Sequence, residues 1–263
     1  MSLLDSIVEH KRQEVEEKKR EVDLGSFRDS PAYAARTLSL VSALRSRRPA
    51  IIAEIKKASP SKHVIREEFQ PESIAKQYAG GGAAAISVLT DHSYFRGNLE
   101  YIKQVKKVVD LPILRKDFIL DPYQIHESKA AGADAVLLIA AILTPDLLIE
   151  LKELATELGM ESLVEVHSED ELSSLSQYSF DIIGINNRDL ATFETDLDVS
   201  IRLVKHVPDG AVVVSESGIS RPEDLQKLMN HGIHAMLIGE YFMRSADPGM
   251  ALSQLLSEVV VDG

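Results

Sequence analysis

Cysteine and tryptophan are both absent from the 263-residue chain. The lack of cysteine excludes disulfide bonds, thiolate metal sites and a cysteine nucleophile. It also suits a reducing compartment, so we expect a cytoplasmic protein. The lack of tryptophan, with an aromatic content of only 5%, removes the usual stacking surface for single-stranded nucleic acid. Neither thiol chemistry nor nucleic-acid binding is therefore expected.

Positive charge is scarce, with 29 lysine and arginine residues against 41 aspartate and glutamate residues and a formal net charge of −12. A field of this sign repels nucleic acid and anionic membranes. No apolar run approaches the roughly 20 residues that a membrane-spanning helix needs. The first residues also lack the layout of a secretion signal. We expect no membrane partner, and an anionic small-molecule ligand would need lysine or arginine side chains close to it.

From residue 50 onward, apolar strand-like segments alternate with helical patterns. The segments begin near Ile51, Ala84, Pro112, Ala135, Ser162, Asp181, Ala211 and Ala235. Helical patterns over residues 121–132, 144–159 and 220–232 start with a capping residue and a proline and close at a glycine. Nearly continuous apolar strands that alternate with helices indicate parallel strands covered by helices. Eight such units predict an α/β fold, a single-domain (β/α)8 TIM barrel with extra N-terminal helices.

The barrel is expected to span residues 50–263, with residues 1–49 as an N-terminal helical extension packed on it in one structural domain. Residues 3–22 and 39–44 show helical patterns, and the mixed charges of residues 11–20 are interpreted as a solvated helix face. A Rossmann-like sheet is the alternative, but it should carry a glycine-rich phosphate turn after its first strand. This chain has Lys-Lys-Ala-Ser-Pro-Ser at that place.

Ionisable side chains stand at the predicted carboxyl ends of the strands, where barrel enzymes carry their active sites. Residues 51–61 begin as a buried strand and then place Glu54 and Lys56 two residues apart, on the same face. An exposed ion pair on an edge strand would be the simplest interpretation. However, Lys116 and Glu165 end two other apolar strands in the same way, so we predict one shared polar pocket. Further polar residues at strand ends are Ser59, Thr90, Asp91, Asp117, His167, Asn186, Asn187, Arg188, Ser215, Glu216 and Ser217.

Two glycines follow the last two strands directly. Gly218 and Gly239 stand where barrels often bind phosphate, because glycine lets the backbone approach an anion closely. Either glycine alone is best explained as a turn residue, but the two together favour a phosphate site. The fourth strand, predicted to run to Leu143, ends without charge and should supply an apolar wall. His167 precedes a helix start and is interpreted as supporting rather than catalytic, and the other histidines lack metal-ligand spacing.

Six segments taken together resemble the indole-3-glycerol phosphate synthase family. They are IIAEIKKASPS, ILRKDFI, SLVEVHSE, IGINNRDL, VSESGI and LIGE, and the resemblance extends from the N-terminal helices to the C-terminus. It implies a barrel enzyme of tryptophan biosynthesis that acts on 1-(2-carboxyphenylamino)-1-deoxyribulose 5-phosphate, an anionic sugar phosphate. The products would be indole-3-glycerol phosphate, carbon dioxide and water. The resemblance implies no cofactor and no metal.

The resemblance also implies roles for particular residues. Lys116 would be the general acid at the substrate carbonyl, and Glu165 would be the base or a partner in dehydration, with Glu54 beside it. Lys56 would pair with a substrate anion and assist acid catalysis. The other implied site residues are Asn186 and Ser217 in the catalytic group, Ser59, Arg188, Phe118, Leu190 and Glu216 for substrate binding, and Gly218, Gly239 and the Glu240 amide for phosphate.

Two positions depart from the family pattern. His63 stands where members often have glycine, so we expect a stiffer loop after the first strand. Glu240 stands where others carry serine or threonine, so we expect its side chain to point away from the phosphate.

Two other classes of function are the alternatives. Phosphoribosylanthranilate isomerase is a related phosphate-binding barrel, but it typically uses a cysteine base, which this chain lacks. A non-catalytic interaction protein could dock through the charged first helix, but it would have no reason to end three apolar strands in lysine and glutamate. We expect a monomer or a weak homo-oligomer.

Overall fold

Eight short parallel strands close into a barrel in this computed structural model, which describes residues 2–60, 63–189 and 192–259. The strands are β1 Ala50–Ile55, β2 Ala85–Leu89, β3 Ile113–Lys116, β4 Ala135–Ile139, β5 Glu161–Val166, β6 Ile182–Asn186, β7 Val212–Glu216 and β8 Ala235–Ile238. Each strand pairs with the next along the chain, and β8 returns to β1 with Ala50 opposite Ala235. The prediction of a (β/α)8 TIM barrel is confirmed.

Helices surround the barrel and precede it. They are α1 Leu3–Glu21, α2 Pro31–Ala34, α3 Leu40–Arg45, α4 Pro71–Gly81, α5 His92–Phe95, α6 Glu100–Lys106, α7 Pro122–Ala131, α8 Pro145–Glu157, α9 Glu169–Ser174, α10 Asp198–Leu203, α11 Pro222–Met229, α12 Glu240–Arg244 and α13 Pro248–Ser257. Short 3-10 helices lie at Leu24–Asp29, Ala140–Ile142 and Val204–His206. The strands Ala58–Ser59 and His63–Val64 pair antiparallel beside the barrel.

Local sequence explains where several of these helices begin. The side chain of Asp121 accepts a hydrogen bond from the Tyr123 amide and so caps α7. This helix ends at Ala131 and is followed by Gly132, which has a positive φ. Thr144 caps α8 in the same way. The fourth strand is shorter than predicted, because its ladder with β5 ends at Ile139 and the chain then enters a 3-10 turn instead of reaching Leu143. Among the described residues, no helix has both the length and the apolar character to cross a membrane.

The alternation of side chains along the strands produces two apolar layers. Ile51 and Ala53 of β1 face the surrounding helices, whereas Ile52 packs inside the barrel. Leu40 and Leu44 of α3 join the interior cluster and cover the amino-terminal end of the barrel. Since successive strand residues point to opposite faces, every second residue of a strand faces the barrel interior, up to the carboxyl end of the strand. This alternation directs polar side chains at the strand ends into one space.

The first helix is docked more deeply than the sequence indicates. Its residue Lys11 was placed on a solvated face, and this prediction is wrong, since Lys11 is only 1% exposed. The Lys11 ammonium contacts three carboxylates, those of Glu14, Asp91 and Asp117, at 2.8 to 3.0 Å. The two aspartates end barrel strands, so these ion pairs fix α1 against the carboxyl-terminal face of the barrel. We propose that residues 1–49 are an N-terminal extension that forms one structural domain with the barrel.

Candidate active site

A cavity of about 810 Å³ opens at the carboxyl ends of the strands. It is lined by every residue of the predicted site that lies in the described ranges, namely Glu54, Lys56, Ser59, Lys116, Phe118, Glu165, Asn186, Arg188, Glu216, Ser217, Gly218, Gly239 and Glu240. Leu190 lies outside the described residues. The barrel therefore brings side chains from all parts of the chain to one place, although their roles stay predictions.

Lys116, at the end of β3, lies between two carboxylates. Its Nζ atom is 2.9 Å from Glu216 Oε2 and 3.2 Å from Glu165 Oε2. Burial lowers the pKa of Lys116, but Glu216 and Glu165 outweigh burial and raise the pKa above its ordinary value. The ammonium is thus charged throughout the neutral range, and it can polarise an oxygen atom placed beside it.

The pKa values of the two carboxylates beside Lys116 are shifted in opposite directions. Burial raises the pKa of Glu165, but Lys116 and His167 outweigh burial and leave the pKa below its ordinary value. Burial and the nearby Glu165 charge raise the pKa of Glu216 to about 7, against the opposing effect of Lys116. The pKa values of two neighbouring acids that share one cation are expected to differ in this way. Glu165 is therefore the ionised member of the pair at neutral pH.

The side chain of Glu216 occupies space that is free because the neighbouring strand β6 has a glycine there. A Cβ atom at Gly184 of β6 would overlap with the Glu216 carboxylate and with Leu163. Glu216 Oε1 is buried and has no hydrogen-bond partner among the described residues. The predicted site omitted Gly184, and the only available signal was a glycine inside the apolar strand segment IIGIN, a pattern that indicates close approach by another group.

Glu54 and Lys56 form a second ion pair at the carboxyl end of β1, where both line the cavity. Lys56 Nζ lies 2.6 Å from Glu54 Oε2, and the Glu54 side chain is almost completely buried whereas Lys56 is partly exposed. Gly239 lies directly beside this pair, because a Cβ atom there would overlap with the Glu54 carboxylate. Gly239 therefore makes room for a buried acid as well as ending β8.

The two predicted phosphate turns also line the cavity. Ser217 and Gly218 have positive φ values of 70° and 79°, and α12 begins at Glu240 immediately after Gly239. Two arginines stand close to this helix start. Arg244 Nε donates a hydrogen bond to Glu240 Oε1 at 3.0 Å, and Arg188 Nη2 lies 3.9 Å from Glu240 Oε2. Backbone amides and guanidinium groups near each other suit an anion.

Apolar side chains line the remaining walls. Phe118 and Phe95 lie with ring centroids 6.2 Å apart, and Leu137 and Ile139 of β4 supply the wall expected from the uncharged fourth strand. The first helix adds a wall that was not predicted, formed by Leu3, Leu4 and Ile7. The narrow apolar stripe of α1 was visible in the sequence, but nothing in the pattern showed that it would face the site.

The sequence matches the family model described as indole-3-glycerol phosphate synthase over residues 4–255. The chain belongs to this family. It is similar to the indole-3-glycerol phosphate synthase of Salinibacter ruber, with 50% identity over 98% of this chain and 96% of that one. The protein of the same name from Carboxydothermus hydrogenoformans is 49% identical over 97% of this chain and 99% of that one. The family resemblance is confirmed, and the isomerase alternative is not favoured.

Solved structures with low sequence identity share the fold. The 3-hexulose-6-phosphate synthase from Salmonella typhimurium is 17% identical, with a TM-score of 0.63 over 80% of this chain and 99% of that one. Thiamine phosphate pyrophosphorylase from Pyrococcus furiosus is also 17% identical, with a TM-score of 0.61 over 84% of this chain and 97% of that one. At this identity the likeness extends to the barrel fold only.

The structure gives a context for the two residues that were expected to depart from the family pattern. His63 has a positive φ of 52°, a conformation that favours glycine. Its predicted stiffening of the loop stays a prediction. The Glu240 side chain lines the cavity, but its carboxylate is bound to Arg244. The expectation that this side chain points away from a phosphate also stays a prediction.

Several polar strand-end residues make contacts within the protein. Asn187 donates hydrogen bonds to Ser215 Oγ and to the Ser217 carbonyl oxygen, and it accepts from Ser200. The carboxylates of Asp91 and Asp117 bind Lys11. In the parts of the chain that the structure describes, no group of three or more acidic or histidine residues could hold a metal ion.

Proposed function

We propose that this chain is an indole-3-glycerol phosphate synthase, a carboxy-lyase of tryptophan biosynthesis. It closes the indole ring of 1-(2-carboxyphenylamino)-1-deoxyribulose 5-phosphate and releases carbon dioxide and water. The observation that carries the assignment of roles is the position of Lys116, held between Glu165 and Glu216. The ion pair Lys56–Glu54 and the two glycine turns line the same cavity.

Lys116 acts at the ribulose carbonyl. The aryl carbon that bears the carboxylate attacks this carbonyl, and negative charge develops on the oxygen as the new carbon–carbon bond forms. An ammonium in a buried site stabilises that charge and protonates the oxygen. Lys56 lines the same cavity and pairs with Glu54, and it binds the substrate carboxylate before carbon dioxide leaves.

Glu165 acts as the base in the later steps. After decarboxylation, the former carbonyl oxygen leaves as water and a proton is lost, so that the five-membered ring becomes aromatic. Lys116 and His167 lower the pKa of Glu165 against the effect of burial, which favours the ionised state that a base requires. Glu54 assists proton transfer from the other side of the cavity, and Asn186 and Ser217 orient the reacting groups.

Different groups in the cavity bind the two ends of the substrate. Gly218, Gly239 and the Glu240 amide hold the phosphate, and Arg188 adds charge beside them. Phe118 flanks the aromatic ring, with Leu190 assigned the same role on the basis of the family resemblance. Ser59 and Glu216 contact the polar middle of the substrate. With the phosphate and the aromatic ring bound in this way, the carbonyl carbon would lie near Lys116 and the aromatic ring against apolar side chains.

Assays with the substrates of the two enzymes test this proposal. The purified protein should convert 1-(2-carboxyphenylamino)-1-deoxyribulose 5-phosphate into a fluorescent indole product with release of one equivalent of carbon dioxide. It should leave phosphoribosylanthranilate unchanged. Turnover of the second compound alone would favour the isomerase, and turnover of neither would favour the non-catalytic alternative. We further propose a cytoplasmic location and a monomer or weak homo-oligomer, which sedimentation velocity can measure.

A further inference from the structure

His167 lies directly behind Glu165, on the side away from the cavity. Its Nε2 atom is 3.5 Å from Glu165 Oε1, while Lys116 approaches the other carboxylate oxygen. The imidazole is only 12% exposed and is not among the residues that line the cavity. Both ring nitrogens are buried without a hydrogen-bond partner among the described residues. His167 therefore faces Glu165 without facing a substrate.

A second carboxylate holds the imidazole from behind. Glu171 Oε2 lies 3.6 Å from His167 Nδ1 and accepts a hydrogen bond from the His167 amide at 2.9 Å. Ser168, the N-cap of α9, donates a hydrogen bond to the other Glu171 oxygen. The start of α9 thus fixes the imidazole between two carboxylates, which is an arrangement that stabilises the charged ring.

Three acidic groups surround His167, and they determine its charge. Burial lowers the pKa of His167, but Glu171 and Glu165 outweigh burial and raise the pKa above its ordinary value. The more distant Glu216 acts in the same direction. The imidazolium therefore persists to higher pH than it would in an ordinary exposed histidine.

Glu165 needs a second cation because Lys116 is shared. Lys116 also contacts Glu216, and in the proposed reaction it must turn toward the substrate carbonyl. A buried carboxylate that loses its cation becomes protonated, because burial disfavours the charged form. A base that is protonated in this way cannot accept a proton from the reacting ring. An imidazolium behind the carboxylate prevents this loss without occupying the cavity.

We propose that His167, in its charged form, is the positioning residue that holds Glu165 ionised and oriented while Lys116 serves the substrate. The inference rests on the proposed function, since it assigns His167 to the step in which Glu165 acts as base. It also explains why a histidine stands one residue beyond the end of β5, followed at once by the helix start that carries Glu171.

The first test is the pH dependence of turnover in His167→Asn. The variant should show a lower kcat with KM unchanged within about twofold, because His167 contacts Glu165 rather than substrate. The acid limb of its kcat profile should move to higher pH by about one unit, the effect of losing one nearby charge. His206→Asn is the matched control, since His206 pairs with Glu169 at 3.7 Å on the surface. A His167→Asn profile that coincides with the parent profile overturns the proposal.

The second test does not depend on activity or on the stability of His167→Asn. Histidine resonances are titrated by NMR in the parent protein and in Glu165→Gln. The pKa of His167 should fall in Glu165→Gln, while the His206 resonance titrates as in the parent. An unchanged His167 titration overturns the proposal even if the enzyme is active. Conversely, a clear coupling in a protein that does not turn over the aminosugar phosphate would reject the proposed function and leave the His167–Glu165 pair established.

Discussion

Lys11 Nζ lies 3.0 Å from Asp117 Oδ1, and both side chains are almost completely buried. Asp91 contacts the same nitrogen, and Arg115 and Thr90 bind the other oxygen of Asp117. Burial lowers the pKa of Lys11 but Asp117 and Asp91 raise it above its ordinary value. Two strand-end acids, at positions where barrels usually place catalytic groups, thus secure the helix that forms one wall of the cavity.

Replacing Lys11 should therefore destabilise the protein and weaken substrate binding. Lys11→Met removes the cation that contacts Asp91 and one of the two cations that contact Asp117, and breaking a buried ion pair in this way costs about 3–5 kcal/mol. The free energy of unfolding, measured with urea, should fall by that order of magnitude. KM should rise, because Leu3, Leu4 and Ile7 would no longer be held against the cavity.

Lys19→Met is the matched control for Lys11→Met. Lys19 lies on the same helix and contacts Glu16 and Asp121, but its side chain is 34% exposed. Pairs of this kind contribute about 0–1 kcal/mol. Equal stability of the two variants would show that the buried network around Lys11 does not hold α1.

The contrast between Glu54 and Asp117 shows how far sequence alone could predict the site. Parallel strands in a barrel force their carboxyl ends together, so acids and lysines after apolar segments were predicted to share a pocket, as at Glu54 and Lys116. The same rule could not tell that Asp117 would turn toward Lys11. That contact depends on how α1 docks, and the mixed charges around Lys11 resemble an ordinary solvated helix face.

The second limit on prediction concerns space rather than charge. Gly184 and Gly239 are required because the carboxylates of Glu216 and Glu54 lie where their Cβ atoms would be. A sequence pattern identifies a glycine but not the side chain that approaches it from a neighbouring strand. Such contacts depend on the register between neighbouring strands, which could not be predicted from the sequence pattern.

Lys116→Ala should lower kcat by at least about 100-fold, because a positioned acid–base group typically contributes 10²- to 10⁴-fold. Circular dichroism and thermal unfolding should show that the fold persists. Lys103→Ala is the control, since Lys103 forms a pair with Glu100 in which both side chains are about half exposed. Nearly normal kcat in Lys116→Ala would remove Lys116 from its proposed role.

The two glycine turns should respond differently to substitution. Gly218→Val places a branched side chain at a φ of 79°, where a Cβ atom would lie 3.0 Å from Thr195. It should raise KM through the phosphate and affect kcat less. Gly239→Ala should lower kcat as well, since its Cβ atom would displace the Glu54 carboxylate. Steady-state kinetics of both variants separate the effects, and an unchanged KM in Gly218→Val would mean that this loop is only a turn.

Glu216→Gln should change how stability depends on pH. The pKa of Glu216 is raised to about 7 in the folded protein, from an ordinary value of 4.5. Between these values the folded state retains a proton that the unfolded state has lost, so the parent loses stability as pH rises through this window. Glutamine cannot titrate, and the variant does not share this loss. The free energy of unfolding of Glu216→Gln, minus that of the parent, should therefore increase from pH 4 to pH 8 by on the order of 3 kcal/mol.

Urea unfolding at several pH values measures this difference, and Asp198→Asn provides a control of opposite sign. Lys227 lowers the pKa of Asp198 through a hydrogen bond and its charge. The parent therefore gains stability at this site as pH rises from below the folded-state pKa of Asp198 to its ordinary value of 3.8. The asparagine variant should become less stable relative to the parent over that acidic range. A stability difference for Glu216→Gln that stays constant with pH, while Asp198→Asn behaves as expected, would mean that folding does not raise the pKa of Glu216.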